Sequence, residues 1–95
     1  MSRAPLDPAE IERRLAQAPG WSLDGGKLYR EFRFPDFVAA FGFMARCALA
    51  AGQLDRHPER ANVYGTVRVH LTTHDAGGLT ARDFELAARM DALAR

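Results

Sequence analysis

Two adjacent glycines, Gly25–Gly26, constrain this chain more than any other feature. They join Trp21–Asp24 to Lys27–Phe34. A two-residue connection makes its flanking strands antiparallel, since parallel strands need a crossover of a dozen or more residues. Glycine also tolerates the positive φ values of tight hairpins. In the second arm Leu28, Arg30, Phe32 and Phe34 point one way, and Tyr29, Glu31 and Arg33 the other. One face is therefore apolar, with Arg30 as its exception, and has to be covered.

The rest of the pattern supplies the cover. Asp7–Pro8–Ala9–Glu10 predicts a helix start, with Asp7 as cap, Pro8 at the first helical position and Glu10 closing a capping box. Ile11 and Leu15 share a face, and Pro19–Gly20 ends the run. From Pro35 to about Leu54 the spacing predicts a long helix buried along Phe37, Phe41, Met44, Ala48 and Ala51. Pro58 breaks it by disfavouring helical backbone at His57. A short strand near Asn62–Tyr64 and a longer one over Val67–His74 follow. Val67, Val69, Leu71 and Thr73 face one side of it, and Arg68, His70, Thr72 and His74 the other. After Gly77–Gly78, Thr80 caps a last helix with Asp83 as the fourth residue of a T-x-x-D box. Phe84, Ala87, Ala88 and Leu93 form its expected packing side, with Leu86 and Met90 beside them. The order α, hairpin, α, hairpin, α predicts a single α+β domain over residues 1–95: a four-stranded antiparallel sheet with three helices packed on one face.

Bulk properties exclude several roles. Thirteen Lys and Arg against 12 Asp and Glu give a net charge of +1, which argues against nucleic acid as a partner. The amino-terminal MSRAPLDPAE has no apolar signal-like stretch, and no run is long enough to span a bilayer. One cysteine, Cys47, rules out an intrachain disulfide, so the expected setting is cytoplasmic, without a membrane partner. Ninety-five residues make a small core, which an oligomer interface would supplement.

The chemistry-bearing residues are few. His57, His70 and His74 are the only side chains that ordinarily titrate near neutral pH. On a regular strand His70 and His74 would lie about 13 Å apart, too far to share one small ion. With no H-E-x-x-H or C-x-x-C pattern, no metal site is expected, and no glycine-rich phosphate loop is present. Asp83 by spacing alone is a capping carboxylate, Trp21 and Tyr64 are core residues, and Cys47 is a small buried hydrophobe. Arg56, Arg60 and Arg68 form a modest basic cluster able to attract an anion.

Taken together, RHP at 56–58, NVY at 62–64, TTHD at 72–75 and GLTARD at 78–83 resemble the pterin-4a-carbinolamine dehydratase family, also known for dimerisation-cofactor activity. The likeness runs from about residue 8 onward and includes Trp21 and Asp36–Phe37. It implies dehydration of a 4a-hydroxytetrahydropterin to a quinonoid dihydropterin and water, in tetrahydrobiopterin recycling, by a homodimer or homotetramer without a cofactor. It also implies roles. His57 binds or orients the departing hydroxyl, His74 serves as acid or base, and Asp83 orients groups at the pocket edge. Pro58 shapes the turn, and Trp21 lines the pocket.

The chain departs from the family at three positions. Arg56 stands where the family has the first histidine of a pair, Gly52 replaces an acidic residue, and Arg60 replaces an aromatic one. Arginine does not deprotonate in proteins, so Arg56 does not reproduce a reversible acid–base role, although it can bind the pterin carbonyl or polarise the hydroxyl. The alternative expectation is a catalytically impaired member that acts as a pterin-binding or protein-binding module, with contacts at Phe41 and Met44.

Overall fold

The structure is a computed structural model that describes residues 4–54 and 58–95. Its elements are α1 (Pro8–Leu15), β1 (Ser22–Asp24), β2 (Lys27–Arg33), α2 (Phe37–Gln53), β3 (Glu59–Val63), β4 (Thr66–Leu71), a 3-10 turn at His74–Ala76 and α3 (Ala81–Leu93). The strands form one antiparallel sheet in the order β1-β2-β4-β3. The expected α+β architecture of four antiparallel strands and three helices is observed.

Local chemistry accounts for the element boundaries. Asp7 accepts the Glu10 N–H at 2.8 Å and starts α1. The Glu10 carboxylate reaches forward to Arg13 and Arg14, whose guanidinium hydrogen bonds hold it below the usual carboxylate range, Arg13 first. Gly25 and Gly26 have φ of +59° and +81°, the backbone of a tight hairpin turn, with Asp24 opposite Lys27. The second hairpin turns at Tyr64–Gly65, where Phe34 N–H donates to the Gly65 carbonyl at 2.8 Å. A Cβ on Gly65 would lie 2.3 Å from the Phe34 oxygen, so only glycine lets these backbones meet.

Leu28 and Phe32 of β2 and Val67, Val69 and Leu71 of β4 make the buried sheet face, with Leu28 opposite Leu71 and Phe32 opposite Val67. Arg30 sits in this apolar row because its guanidinium stacks over the Phe32 ring at 4.6 Å and donates to Asp91 at 2.8 Å.

The buried stripe of α2 is Ala40, Phe43, Cys47 and Ala51, not the expected Phe37, Phe41, Met44 and Ala48 line. Of the expected set only Ala51 is fully buried; Phe37, Phe41 and Ala48 are exposed, and Met44 packs at the margin of the core. The difference is a rotation of about 100°, one residue, about the helix axis. It arises because Arg46 is the helix's one charged residue, so apolar periodicity runs all round it and fixes no phase. Phe43 decides the orientation by packing on Phe32 and Phe34, with ring centroids at 4.6 and 5.0 Å. In α3 the buried residues are Asp83, Leu86, Ala87 and Met90; Phe84 and Leu93 lie at the margin, and Ala88 is exposed. Among the described residues no helix is long and apolar enough to cross a membrane.

Candidate functional site

The site is built where β4 ends. β2 begins at Lys27, immediately after the hairpin turn, and β3 begins at Glu59, opposite His70. Beyond Leu71 the described residues offer no strand to pair with, and the strand expected to reach His74 stops short. Instead, Thr73 pairs with Gly78: Thr73 N–H donates to the Gly78 carbonyl at 3.3 Å and Gly78 N–H returns to Thr73 at 3.4 Å. His74–Ala76 fills the space between as a single 3-10 turn, closed by Gly77 with φ of +75°. His74 is exposed on this turn, on no regular strand, so the spacing expected between it and His70 does not hold.

Beneath the turn lies a buried polar network. Thr73, Thr80 and Asp83 are 4%, 2% and 2% exposed. Thr73 Oγ1 donates to Asp83 Oδ2 at 2.7 Å and lies 3.0 Å from Thr80 Oγ1. Thr80 N–H donates to the same Asp83 Oδ2 at 2.9 Å, and Thr80 and Asp83 form the expected capping box of α3. A hydroxyl has one proton. With Thr73's directed to Asp83, Thr80 is the donor in the contact between the two threonines. Burial without partners would cost each of these groups about 1–3 kcal/mol, and the network removes that cost.

The other sequence-derived residues divide between places. Pro58 is half-buried just before β3. Since Glu59 pairs with His70, Pro58 stands at the sheet end from which the His74 turn departs. Arg56 and His57 lie outside the described residues. Trp21 is elsewhere: it is buried edge-on to Phe32, and its indole N–H donates to Asp91 at 2.9 and 3.1 Å to the two carboxylate oxygens. Asp91 is eight residues beyond Asp83, about 12 Å along α3, so the structure brings His74, Asp83 and Pro58 towards one end and holds Trp21's polar edge near the other.

Two further residues belong to the His74 end. Thr73 carries the hydrogen bond that joins the turn to α3. Its sequence signal was a hydroxyl ending the inward row Val67, Val69, Leu71, since a buried hydroxyl demands a partner. Glu59 is bound by Lys27 at 2.8 Å. That hydrogen bond holds its carboxyl below the usual range, with smaller contributions from the charges of His70 and His74. Nothing in its local sequence marks it. On the open sheet face nearby, His70 Nε2 lies 2.8 Å from Asp24 Oδ2 and its ring packs against Tyr29 at 4.7 Å. Among the described residues no group of three or more His, Cys, Asp or Glu is arranged to hold a metal ion.

Residues 4–93 match the family model described as pterin 4 alpha carbinolamine dehydratase. The chain belongs to this family. A relative from Solibacter usitatus, named for the same dehydratase, is 52% identical over 89 residues, covering 94% of each chain. Another from Chelativorans sp. is 53% identical over 96 residues, covering 99% of this chain and 98% of its own. The crystal structure of a transcriptional coactivator/pterin dehydratase from Brucella melitensis superposes with a TM-score of 0.92 at 43% identity, over 96% of this chain and 99% of that one. Membership in the pterin-4a-carbinolamine dehydratase family thus rests on sequence and fold together, and the elements carrying His74 and Asp83 fall within the matched residues.

Proposed function

We propose that this protein dehydrates a 4a-hydroxytetrahydropterin to a quinonoid dihydropterin and water, a step of tetrahydrobiopterin recycling. The observation that carries this reading is the exposed His74, presented on a short turn whose base is hydrogen-bonded to the buried Asp83. In the reaction the C4a–O bond breaks, the hydroxyl takes a proton and leaves as water, and loss of the N5 proton forms the C=N bond. A histidine suits either transfer because its ordinary pKa lies near neutral pH. His74 is the acid or base, His57 orients the departing hydroxyl, and Pro58 shapes the approach to it. Arg56, with five fixed donors, binds the pterin carbonyl or polarises the hydroxyl and leaves the proton transfers to the histidines. Trp21, bound to Asp91 at the far end of α3, takes no part in these steps. No cofactor enters these steps.

The protein acts as a homo-oligomer. Val38 and Phe41 on α2 are 78% and 57% exposed, and Phe37 and Leu49 are exposed beside them. Val38, Phe41, Ala45, Ala48 and Gly52 recur at alternating spacings of three and four, the seam along which helices of separate chains pack. Phe41→Glu places a charge in that seam and is expected to lower the oligomeric mass measured by light scattering. An unpaired, buried Cys47 fits a reducing, cytoplasmic setting.

One assay tests the reading: dehydration of a freshly generated 4a-hydroxytetrahydropterin by wild type, Arg56→His and His74→Ala. Saturable turnover by wild type, faster in Arg56→His and lost in His74→Ala, is the expected result. A wild-type rate equal to that of buffer would sink the enzymatic reading and favour the binding-module alternative that Arg56 raises.

A further inference from the structure

We propose that Thr73 is a positioning residue for His74, and that Asp83 acts on the reaction through Thr73 and not by touching the substrate. This rests on the dehydratase reading above. Three observations converge on it. His74 follows Thr73 directly, so the Thr73 backbone fixes where the imidazole begins. That backbone is held by its pair of hydrogen bonds to Gly78 and accepts the Ala76 N–H at 3.1 Å, so it anchors both the neck of the turn and the turn itself. The Thr73 hydroxyl reaches the opposite way, into the protein, where it donates to Asp83 at 2.7 Å and lies 3.0 Å from the Thr80 hydroxyl.

The direction of the hydrogen bonds defines what Asp83 supplies. Both the Thr73 hydroxyl and the Thr80 N–H converge on one oxygen, Oδ2, at 2.7 and 2.9 Å. Asp83 is itself buried at 2% exposure, and α3 cannot move without moving the capping box. The carboxylate therefore works as a fixed double acceptor that ties the base of the His74 turn to the first turn of α3. An amide oxygen in the same place can accept the same two bonds. A misplacement of about 1 Å at a reacting group costs on the order of a hundredfold in rate, so the tie has a kinetic consequence although neither Thr73 nor Asp83 meets the pterin.

The experiment compares Thr73→Val, Thr73→Ser, Asp83→Asn and Asp83→Ala in the full-length protein. It measures kcat and KM for the 4a-hydroxypterin, and the backbone and ring resonances of His74 by heteronuclear NMR. Thr73→Val keeps the shape and removes the hydroxyl; kcat should fall roughly tenfold to a hundredfold with KM little changed. Its His74 resonances should shift while those of the buried face of α2 stay in place. Thr73→Ser should recover most of the rate. Asp83→Asn should retain far more activity than Asp83→Ala, and this variant preserves the test if Thr73→Val does not fold. Three results would each overturn the proposal: equal losses in Thr73→Val and Thr73→Ser, lost turnover in Thr73→Val with unmoved His74 resonances, or an Asp83→Asn as inactive as Asp83→Ala. If wild type itself shows no turnover, the dehydratase reading fails on its own, and the His74 resonances in Thr73→Val and Thr73→Ser still decide whether the hydroxyl positions the turn.

Discussion

The two ends of α3 each present an aspartate to a partner that arrives from the sheet side, yet the two are held by different chemistry. At the amino-terminal end Asp83 is nearly sealed and accepts only from a hydroxyl and a backbone N–H in the contacts described above. At the other end Asp91, partly exposed, takes the Arg30 guanidinium and the Trp21 indole. The Arg30 pair joins β2 to α3, and the indole ties in the segment after α1, so this end fastens separate elements of the fold to one another. The Asp83 end fastens a six-residue turn, 73–78, to a helix start, and that turn carries the exposed His74. If Asp83 positions the His74 turn as proposed, one helix separates a structural aspartate from one that serves geometry, and substitutions at each end should fail in different ways.

The largest contrast is expected from His74→Ala. General acid–base groups contribute about 10²–10⁴-fold in rate, and an exposed histidine on a turn contributes little to stability. Turnover should therefore fall by two to four orders of magnitude while the thermal midpoint stays within about 2 °C. Parallel dehydration and calorimetric measurements check this. A full-rate His74→Ala would remove the functional half of the comparison, whatever its effect on folding.

Asp91→Ala should show the reverse. It leaves the buried indole N–H without its acceptor and strands Arg30 in an apolar sheet face. The expected loss is about 2–3 kcal/mol, from an unsatisfied buried donor and a broken, partly buried ion pair. For a chain of this size that is a fall of roughly 10 °C or more in thermal midpoint. Urea unfolding followed by the emission of Trp21, the one tryptophan, reads both the stability and the changed indole environment. Below the transition, kcat should change by less than about threefold, because Asp91 lies about 12 Å along the helix from Asp83. A kcat loss as large as that of His74→Ala, in protein verified as folded, would erase the distinction between the two ends and bring Trp21 into the site.

These differences bear on what could be read from sequence. The hairpins were legible because Gly25–Gly26 and the Val67–Val69–Leu71 alternation are local signals with local causes. Asp83 was legible as a cap for the same reason. The phase of α2 was not: with apolar residues on every side, only the arrival of Phe32 and Phe34 from the sheet chooses Phe43 over Phe41. The end of β4 was not legible either, since it depends on where β2 and β3 begin and not on any breaker within Thr72–His74. The Arg30–Asp91 pair joins residues 61 apart in sequence, and no spacing rule reaches that far. Arg30 as the exception in an apolar row was the visible half of it. For the site, family likeness singled out His74 and Asp83, whereas the tie between them, the hydrogen bond from the hydroxyl of His74's neighbour Thr73 to Asp83, required the fold.

The smallest effect concerns the buried face of α2, the helix that packs on α3. Cys47 is 1% exposed, and burial pushes its thiol up to about 11. The unfolded chain releases the thiol proton near pH 8.5, so between there and pH 11 the unfolded state binds fewer protons than the folded one. Stability then declines as pH rises. The Cys47 contribution is whole below the unfolded value and disappears on passing the folded one. By pH 9.5 the decline from this group alone should be about 1 kcal/mol. Urea titrations at pH 8 and pH 9.5, on wild type and Cys47→Ala, isolate it: the alanine variant starts lower because of its cavity but should lose less between the two pH values. Thiol alkylation then links the interior back to α3. At pH 8 the folded thiol should react far more slowly than a free thiol, Asp91→Ala should accelerate it by making global opening easier, and His74→Ala should leave it unchanged. Equal acceleration by both variants would mean that the His74 turn shares in holding the core, and that the two ends of α3 are one cooperative unit.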